Sequence, residues 1–200
     1  MASVVLASGN AGKLKEMRAI LGELEVTVRA QSDFSLISPD ETGTTFAENA
    51  IIKARHAAAG AKMPAIADDS GLIVDALKGE PGVYSARYAG TDASDSDNLE
   101  LLLERLNGVP ESQRTCRFIC VIPVMSHAQD PLPLLSTGVW EGRILDTPRG
   151  DNGFGYDPVF FDPRHGCSSA ELPASTKNRV SHRAMALSSM LQSLGHKLQC

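Results

Sequence analysis

The stretch Ala65-Ile66-Ala67-Asp68-Asp69-Ser70-Gly71-Leu72-Ile73-Val74 sets two apolar runs, each long enough for a buried strand, around two adjacent carboxylates, a hydroxyl and a glycine. Carboxylates are costly inside a protein unless a cation or hydrogen-bond donors receive them. The conflict disappears if the first run ends as a strand and the acids emerge at its rim, just before the flexible glycine. That rim is where α/β proteins keep their ligand sites. The competing reading is an Asp-Asp-Ser-Gly turn whose side chains cap their own backbone.

Upstream, residues 4–7 read as a buried strand, and Ser8-Gly9-Asn10-Ala11-Gly12-Lys13 follows as a turn. Leu14, Met17, Leu21 and Leu24 then recur at helical spacing. Strand, glycine-bearing turn and helix make an anion-binding device, with Asn10 able to cap the helix and free N–H groups facing the ligand. A cation in the first turn opposes the helix dipole, so Lys13 either answers to a ligand or is an ordinary surface lysine. The Walker pattern G-x-x-x-x-G-K-[ST] is not matched, because Leu14 stands where Ser or Thr belongs. Residues 26–30 read as a second strand, and the polar loop 31–43 carries Asp33, Asp40 and Glu41. Thr45-Phe46-Ala47-Glu48 is a capping box that opens a helix to about residue 61. Its buried stripe is Phe46, Ala50, Ala54, Ala57 and Ala58, while Asn49 and Lys53 share another face.

Downstream, 79–82 reads as a turn and 83–88 as a short extended piece. Asp95-Ser96-Asp97 caps a helix whose Leu99, Leu102, Leu103 and Leu106 form a core stripe, and packing explains it fully. Residues 115–125 and 132–139 read as two long antiparallel strands, the second continued over 140–144 through a glycine bulge. Gly150-Asp151-Asn152-Gly153-Phe154-Gly155-Tyr156-Asp157-Pro158 presents two aromatics and an acid in a chain with only 5% aromatic residues. Large rings on a glycine-flanked loop suit a flat ligand, since stacking a base on an aromatic contributes about 1–3 kcal/mol without charge. The alternative docks Phe154 back into the core. Ser181 is the expected N-cap of a final helix, with His182 and Arg183 in its first turn and Lys177 just before it. Three cations at a helix N-terminus either face an anion or an electron-rich ligand edge, or form a basic surface patch.

The 200 residues suit one domain, 1–200, with room for two lobes. A net charge of −5 disfavours sequence-blind binding to a nucleic-acid polymer, which needs a basic face. It leaves room for an anionic small molecule held by a few lysines. The cysteines at 116, 120, 167 and 200 form no Cys-x-x-Cys pair and stand near no histidine cluster. Core thiols in a reducing compartment are therefore expected, with no zinc site and no disulfide framework. The N-terminal segment lacks a basic start and its apolar run is too short for a bilayer, so the expectation is a cytoplasmic protein with no membrane partner.

Acids at loop and strand ends (Glu41, Asp69), cations near helix starts (Lys13, Lys53, Lys177, Arg183) and an aromatic glycine loop together suit a nucleoside triphosphate held with Mg²⁺. Residue chemistry leaves the reaction open. Six motifs in order narrow it: Ser8-Gly-Asn-x-x-Lys13, Glu41-Thr-Gly-x-Thr-Phe-x-Glu-Asn-Ala50-x-x-Lys53-Ala, Ala67-Asp-Asp-Ser-Gly-Leu72, Pro81-Gly-x-Tyr-Ser-Ala-Arg87, Gly153-Phe-Gly-Tyr-Asp-Pro158 and Ser181-His-Arg183. Together, over residues 4 to about 194, they closely resemble the inosine/xanthosine triphosphate pyrophosphatase family.

The resemblance implies an α/β fold with an elongated central mixed β-sheet flanked by helices, two lobes around an active-site cleft, and a homodimer. It implies hydrolysis of non-standard purine nucleoside triphosphates (dITP, ITP, XTP) to the monophosphate and pyrophosphate with Mg²⁺, cleansing the nucleotide pool. By the same resemblance Ser8, Gly9, Asn10, Ala11, Gly12 and Lys13 cradle the phosphates, Lys53 reaches the same region, and Ser70 contacts substrate. Glu41 and Asp69 resemble the metal ligands, with Asp69 the acceptor of the water's proton. Phe154, Gly155, Tyr156 and Asp157 resemble the base-holding loop, and Lys177, His182 and Arg183 the groups that read the purine edge. Thr176 departs from relatives that often carry an acid there. Two other readings stand beside this one: a related pyrophosphatase for other modified nucleotides, and a nucleotide-binding protein without turnover.

Overall fold

The computed structural model describes residues 3–8, 18, 21–22 and 25–197, with side chains of the last helix described to residue 194. It is a mixed α/β fold with a central mixed sheet flanked by helices. The strands are β1 (Ser3–Ala7), β2 (Thr27–Ala30), β3 (Ala65–Ala67), β4 (Asp69–Val74), β5 (Thr115–Met125), β6 (Leu134–Ile144), β7 (Phe160–Asp162) and β8 (Cys167–Ser168). Helices with both ends among the described residues include α1 (Phe46–Ala61), α2 (Asp95–Arg105), α3 (Ala174–Val180) and α4 (His182–Lys197). Strand order is β2-β1-β3-β5-β6-β7-β8, with β4 on β5. Pairing is parallel for β1 with β2 and β3, and antiparallel for β3 with β5, β6 with β7 and β7 with β8. Of residues 8–13, only Ser8 lies within the described residues, so the expected phosphate turn at 9–13 falls outside them. None of the described helices is long and apolar enough to cross a membrane.

The chain divides into two compact units: residues 1–69, 121–137 and 186–200, and residues 70–120 and 138–185. In the first, Val5, Ala7, Ala65, Ala67 and Met125 meet Ala54, Ala57 and Ala58 of α1. Methyl side chains on the helix bring its backbone close to the sheet. In the second, Leu99 and Leu102 of α2 and Leu106 at its C-cap pack with Leu72, Val74, Phe118, Trp140 and Phe160. Cys116 and Cys120 are buried free thiols, as expected of core cysteines.

The expected helix boundaries at 45/46 and 61, and the strand at 115–125, match the structure. Three local expectations do not. Residues Gly82–Arg87 form a 3-10 helix rather than an extended piece. Its turn closes on local bonds: Tyr84 N donates to Pro81 O at 3.1 Å, and Ser85 Oγ donates to Gly82 O at 2.6 Å. The cap of α2 is Ser94, whose hydroxyl accepts from Asp97 N, one residue before the expected group. No bulge interrupts β6, whose buried and exposed residues alternate straight through Gly142.

Gly142 is instead a close approach. A Cβ there would lie 2.5 Å from Phe160 Cζ and 2.7 Å from Phe161 O. Gly142→Ala should therefore destabilise the fold by about 1–3 kcal/mol, the usual range for overpacking. A urea melt reads this directly, and an unchanged midpoint would show that β7 yields freely.

Candidate active site

In the first unit, the register Ala7↔Ala67 sets the C-terminal ends of parallel β1 and β3 side by side. Ser8 and Asp68 therefore follow at the same edge of the sheet, the edge where α/β ligands bind. Helix α1 packs on these strands and carries Lys53. Its start is fixed by the capping box, with Thr45 Oγ1 accepting from Glu48 N and Glu48 Oε2 accepting from Thr44 N and Thr45 N. Asn49 is fully buried, and its Oδ1 accepts from Gly43 N at 2.7 Å, which ties the 41–43 loop to α1. No side chain fits at residue 43, since a Cβ would come within 2.6 Å of Glu48 Cβ.

That loop brings Glu41 to Lys53. Lys53 Nζ donates to Glu41 Oε1 at 2.9 Å and to Asp69 Oδ1 at 2.7 Å, so one ammonium bridges both acids. Burial disfavours the Lys53 charge, but Asp69 and Glu41 outweigh it and the pKa is raised. Burial pushes the Asp69 pKa up, Lys53 pulls it down without winning, and the charges of Glu41 and Asp68 push it up further. Lys53 thus holds two carboxylates at once, with Asp68 close enough to act on Asp69.

The acids do not emerge at an open rim as expected. Asp68 is 5% exposed and Asp69 8%, and Asp69 begins β4 rather than ending a strand. For Asp69, the lysine on the neighbouring helix makes the burial tolerable. Gly71 lies within β4, and Ser70 is half-buried beside Asp69. Among the described residues no three His, Cys, Asp or Glu side chains form a ready-made metal cage. Mg²⁺ commonly takes only one or two carboxylates, with water and substrate phosphate completing its shell. The hard carboxylate oxygens of Glu41 and Asp69, brought together by Lys53, fit such an ion.

In the second unit, the loop 150–158 splits its aromatics. Phe154 is 61% exposed, whereas Tyr156 is 5% exposed, packs in the core and donates its hydroxyl to Ser85 O at 2.8 Å. The expectation of two presented rings is corrected to one; burial also raises the Tyr156 pKa. Asp157 is 4% exposed and accepts from Phe154 N at 2.9 Å, from Ser169 Oγ at 2.8 Å and from Lys177 Nζ. Gly153 has φ +84°, and a Cβ there would strike the Asp157 carboxylate, so glycine is required.

Lys177 precedes the last helix as expected, but within a short helix of its own. It sits in the last turn of α3, where a cation suits the dipole. Ser181 caps α4 as expected, its Oγ accepting from Ala184 N. His182 is buried with its ring stacked on Phe118, centroids 4.8 Å apart and planes at 17°. Lys177 Nζ lies 5.7 Å and Arg183 Cζ 6.0 Å from the centre of the Phe154 ring. Arg183 Nε is buried without a hydrogen-bond partner among the described residues, a cost that a ligand acceptor would remove.

Sequence reasoning missed two residues. Asn49 passed as a neutral helix position, although an amide beside an alanine stripe signals a buried acceptor. Asp95 passed as a helix-start acid, yet its Oδ2 accepts from Gly155 N at 2.8 Å.

Known proteins resemble the chain over almost its whole length. A dITP/XTP pyrophosphatase of Vibrio parahaemolyticus is 57% identical over 194 residues, covering 97% of each chain. One of Vibrio cholerae is 52% identical over 200 residues and the full length of both. The solved structure of a HAM1 protein from Coxiella burnetii superposes with a TM-score of 0.95 at 49% identity, covering 98% of this chain and 99% of that one. Residues 4–193 match the pattern of the Ham1 family. With the fold, the length and the sequence all in agreement, the chain belongs to the Ham1 family.

Proposed function

We propose that this chain hydrolyses non-standard purine nucleoside triphosphates, dITP, ITP and XTP among them, to the monophosphate and pyrophosphate in the presence of Mg²⁺. The observation that carries the reading is the Lys53 bridge between Glu41 and Asp69, two carboxylates brought together on one ammonium. The relatives' names support the same chemistry.

Glu41 and Asp69 would hold the metal. When bound, Mg²⁺ lowers the pKa of a coordinated water and offsets charge on phosphoryl oxygens. Lys53 engages Asp69 Oδ1, and Asp69 Oδ2 is the atom assigned to receive the water's proton. Ser8 and Ser70, with residues 9–13, take the phosphates. Phe154 and Gly155 form the platform for the purine, while Lys177, His182 and Arg183 face its edge. Tyr156 and Asp157 act from inside the loop by holding that platform.

Donors such as Arg183 Nε suit a 6-oxo group, whereas the 6-amino group of adenine presents N–H against N–H. A buried donor left without an acceptor penalises the wrong base. Pyrophosphate release from ITP, dITP, XTP, GTP and ATP, with and without Mg²⁺, tests this. The kcat/KM for ATP should lie more than about tenfold below that for ITP. Equal turnover of ATP and ITP would overturn the base reading, and binding without pyrophosphate release would make the chain a binding protein. The free thiols at 116, 120 and 167 support a reducing, cytoplasmic setting. The resemblance also implies a homodimer.

A further inference from the structure

Tyr156 and Asp157 are buried, but the tip of the loop at Phe154 and Gly155 borders open space on the side of α2. Between it and α2 lies an open depression of about 500 Å³, lined by Leu99, Leu103, Pro148, Phe154, Gly155 and Pro158. A ring at the tip of such a loop keeps its position only if the backbone beneath it is held. Asp157, itself held by Ser169 and Lys177, holds the Phe154 amide from within the loop, and two further bonds tie Gly155 and Tyr156 toward α2 and the segment it grips. Asp95 Oδ2, in the first turn of α2, accepts from Gly155 N at 2.8 Å. Tyr156 donates to Ser85 O, in a segment that α2 also grips: Asn98 Oδ1 accepts from Ala89 N at 2.8 Å, and Asn98 Nδ2 donates to Ala86 O at 3.3 Å. The bonds close a ring from α2 through 85–89 to Tyr156, Gly155 and back to α2.

From this ring we infer that Asp95 is a positioning residue for purine recognition, fixing the Gly155 amide and with it the Phe154 platform. The inference rests on the reading of Phe154 as the surface on which the base lies. An acid at the start of a helix ordinarily serves the dipole. That service needs a charge in the first turn. It does not need an acceptor aimed at an amide sixty residues away.

The test compares Asp95→Ala, Asp95→Asn, Phe154→Ala and the Asp95→Ala/Phe154→Ala double variant, by KM and kcat for ITP alongside melting temperature. Asp95→Ala should raise KM about five- to tenfold with kcat within about twofold, the effect of one charge-assisted hydrogen bond. Asp95→Asn should recover most of the loss, because its Oδ1 still accepts from Gly155 N while the charge is gone. The double variant should be no worse than Phe154→Ala, since both changes act through one ring. An unchanged KM in Asp95→Ala, an Asn variant as poor as Ala, or multiplying effects in the double variant would each overturn the inference while leaving the Phe154 reading in place. An unchanged KM in Phe154→Ala would remove the base reading itself, and this inference with it. If Asp95→Ala fails to fold, Asp95→Ser, which preserves a good helix start but falls short of Gly155, replaces it.

Discussion

Asp69→Asn should fold normally and hydrolyse ITP about a thousandfold more slowly, within the span commonly lost with a general base. The amide keeps the shape of the carboxylate and can still accept from Lys53, but it cannot take a proton from water. Stability should not suffer. The Asp69 pKa is raised, with burial the largest cause and Lys53 unable to reverse it. A raised pKa means that the ionised form is disfavoured in the folded state, so a neutral isostere removes a cost. Groups placed for chemistry often carry such a cost. Steady-state kinetics and a thermal melt on the same preparation decide the matter: turnover near wild type would take the proton-accepting role from Asp69.

Lys53→Met should be damaging in a different way. Methionine fills a similar volume on α1 but leaves Glu41 and Asp69 without the ammonium that bridges them at 2.9 and 2.7 Å. Lys53 supplies both influences that lower the Asp69 pKa; burial, Glu41 and Asp68 all raise it. In the variant Asp69 should hold its proton over more of the pH range. Turnover at neutral pH should fall by about a hundredfold or more, and the acid limb of the pH–rate profile should move to higher pH. The sign for stability follows from linkage. A carboxyl whose folded pKa lies above its unfolded value of about 4 supports the fold at low pH, and that support is lost as pH rises through the folded pKa. Lys53→Met should therefore lose more stability at pH 8 than at pH 5. A wild-type rate profile in this variant would show that Lys53 does not govern the acid pair.

Both predictions concern side chains that the family resemblance brought to one site, while their own local signals did not. Glu41 stood in a polar loop, Lys53 on a helix face and Asp69 between two strands, and nothing local joined them. The box at Thr45 and Glu48 was readable because its bonds span three residues. The same holds for the Ser181 cap, while β5 was legible because its apolar run lies within one element. Gly142 was misread as a bulge because the ring that forbids its Cβ belongs to β7. Tyr156 was misread as presented because its acceptor, Ser85 O, is seventy-one residues away.

Sequence alone determined the elements whose signals are short-range: caps, apolar runs and the ordered motifs that placed the chain in its family. Only the tertiary structure decided that Asp68 and Asp69 are buried, that Lys53 bridges Glu41 and Asp69, and that α2 holds the loop beneath Phe154. The reason is physical. A backbone cap is satisfied by neighbours along the chain, whereas a buried charge is stabilised by whichever residues the fold brings to within hydrogen-bonding distance.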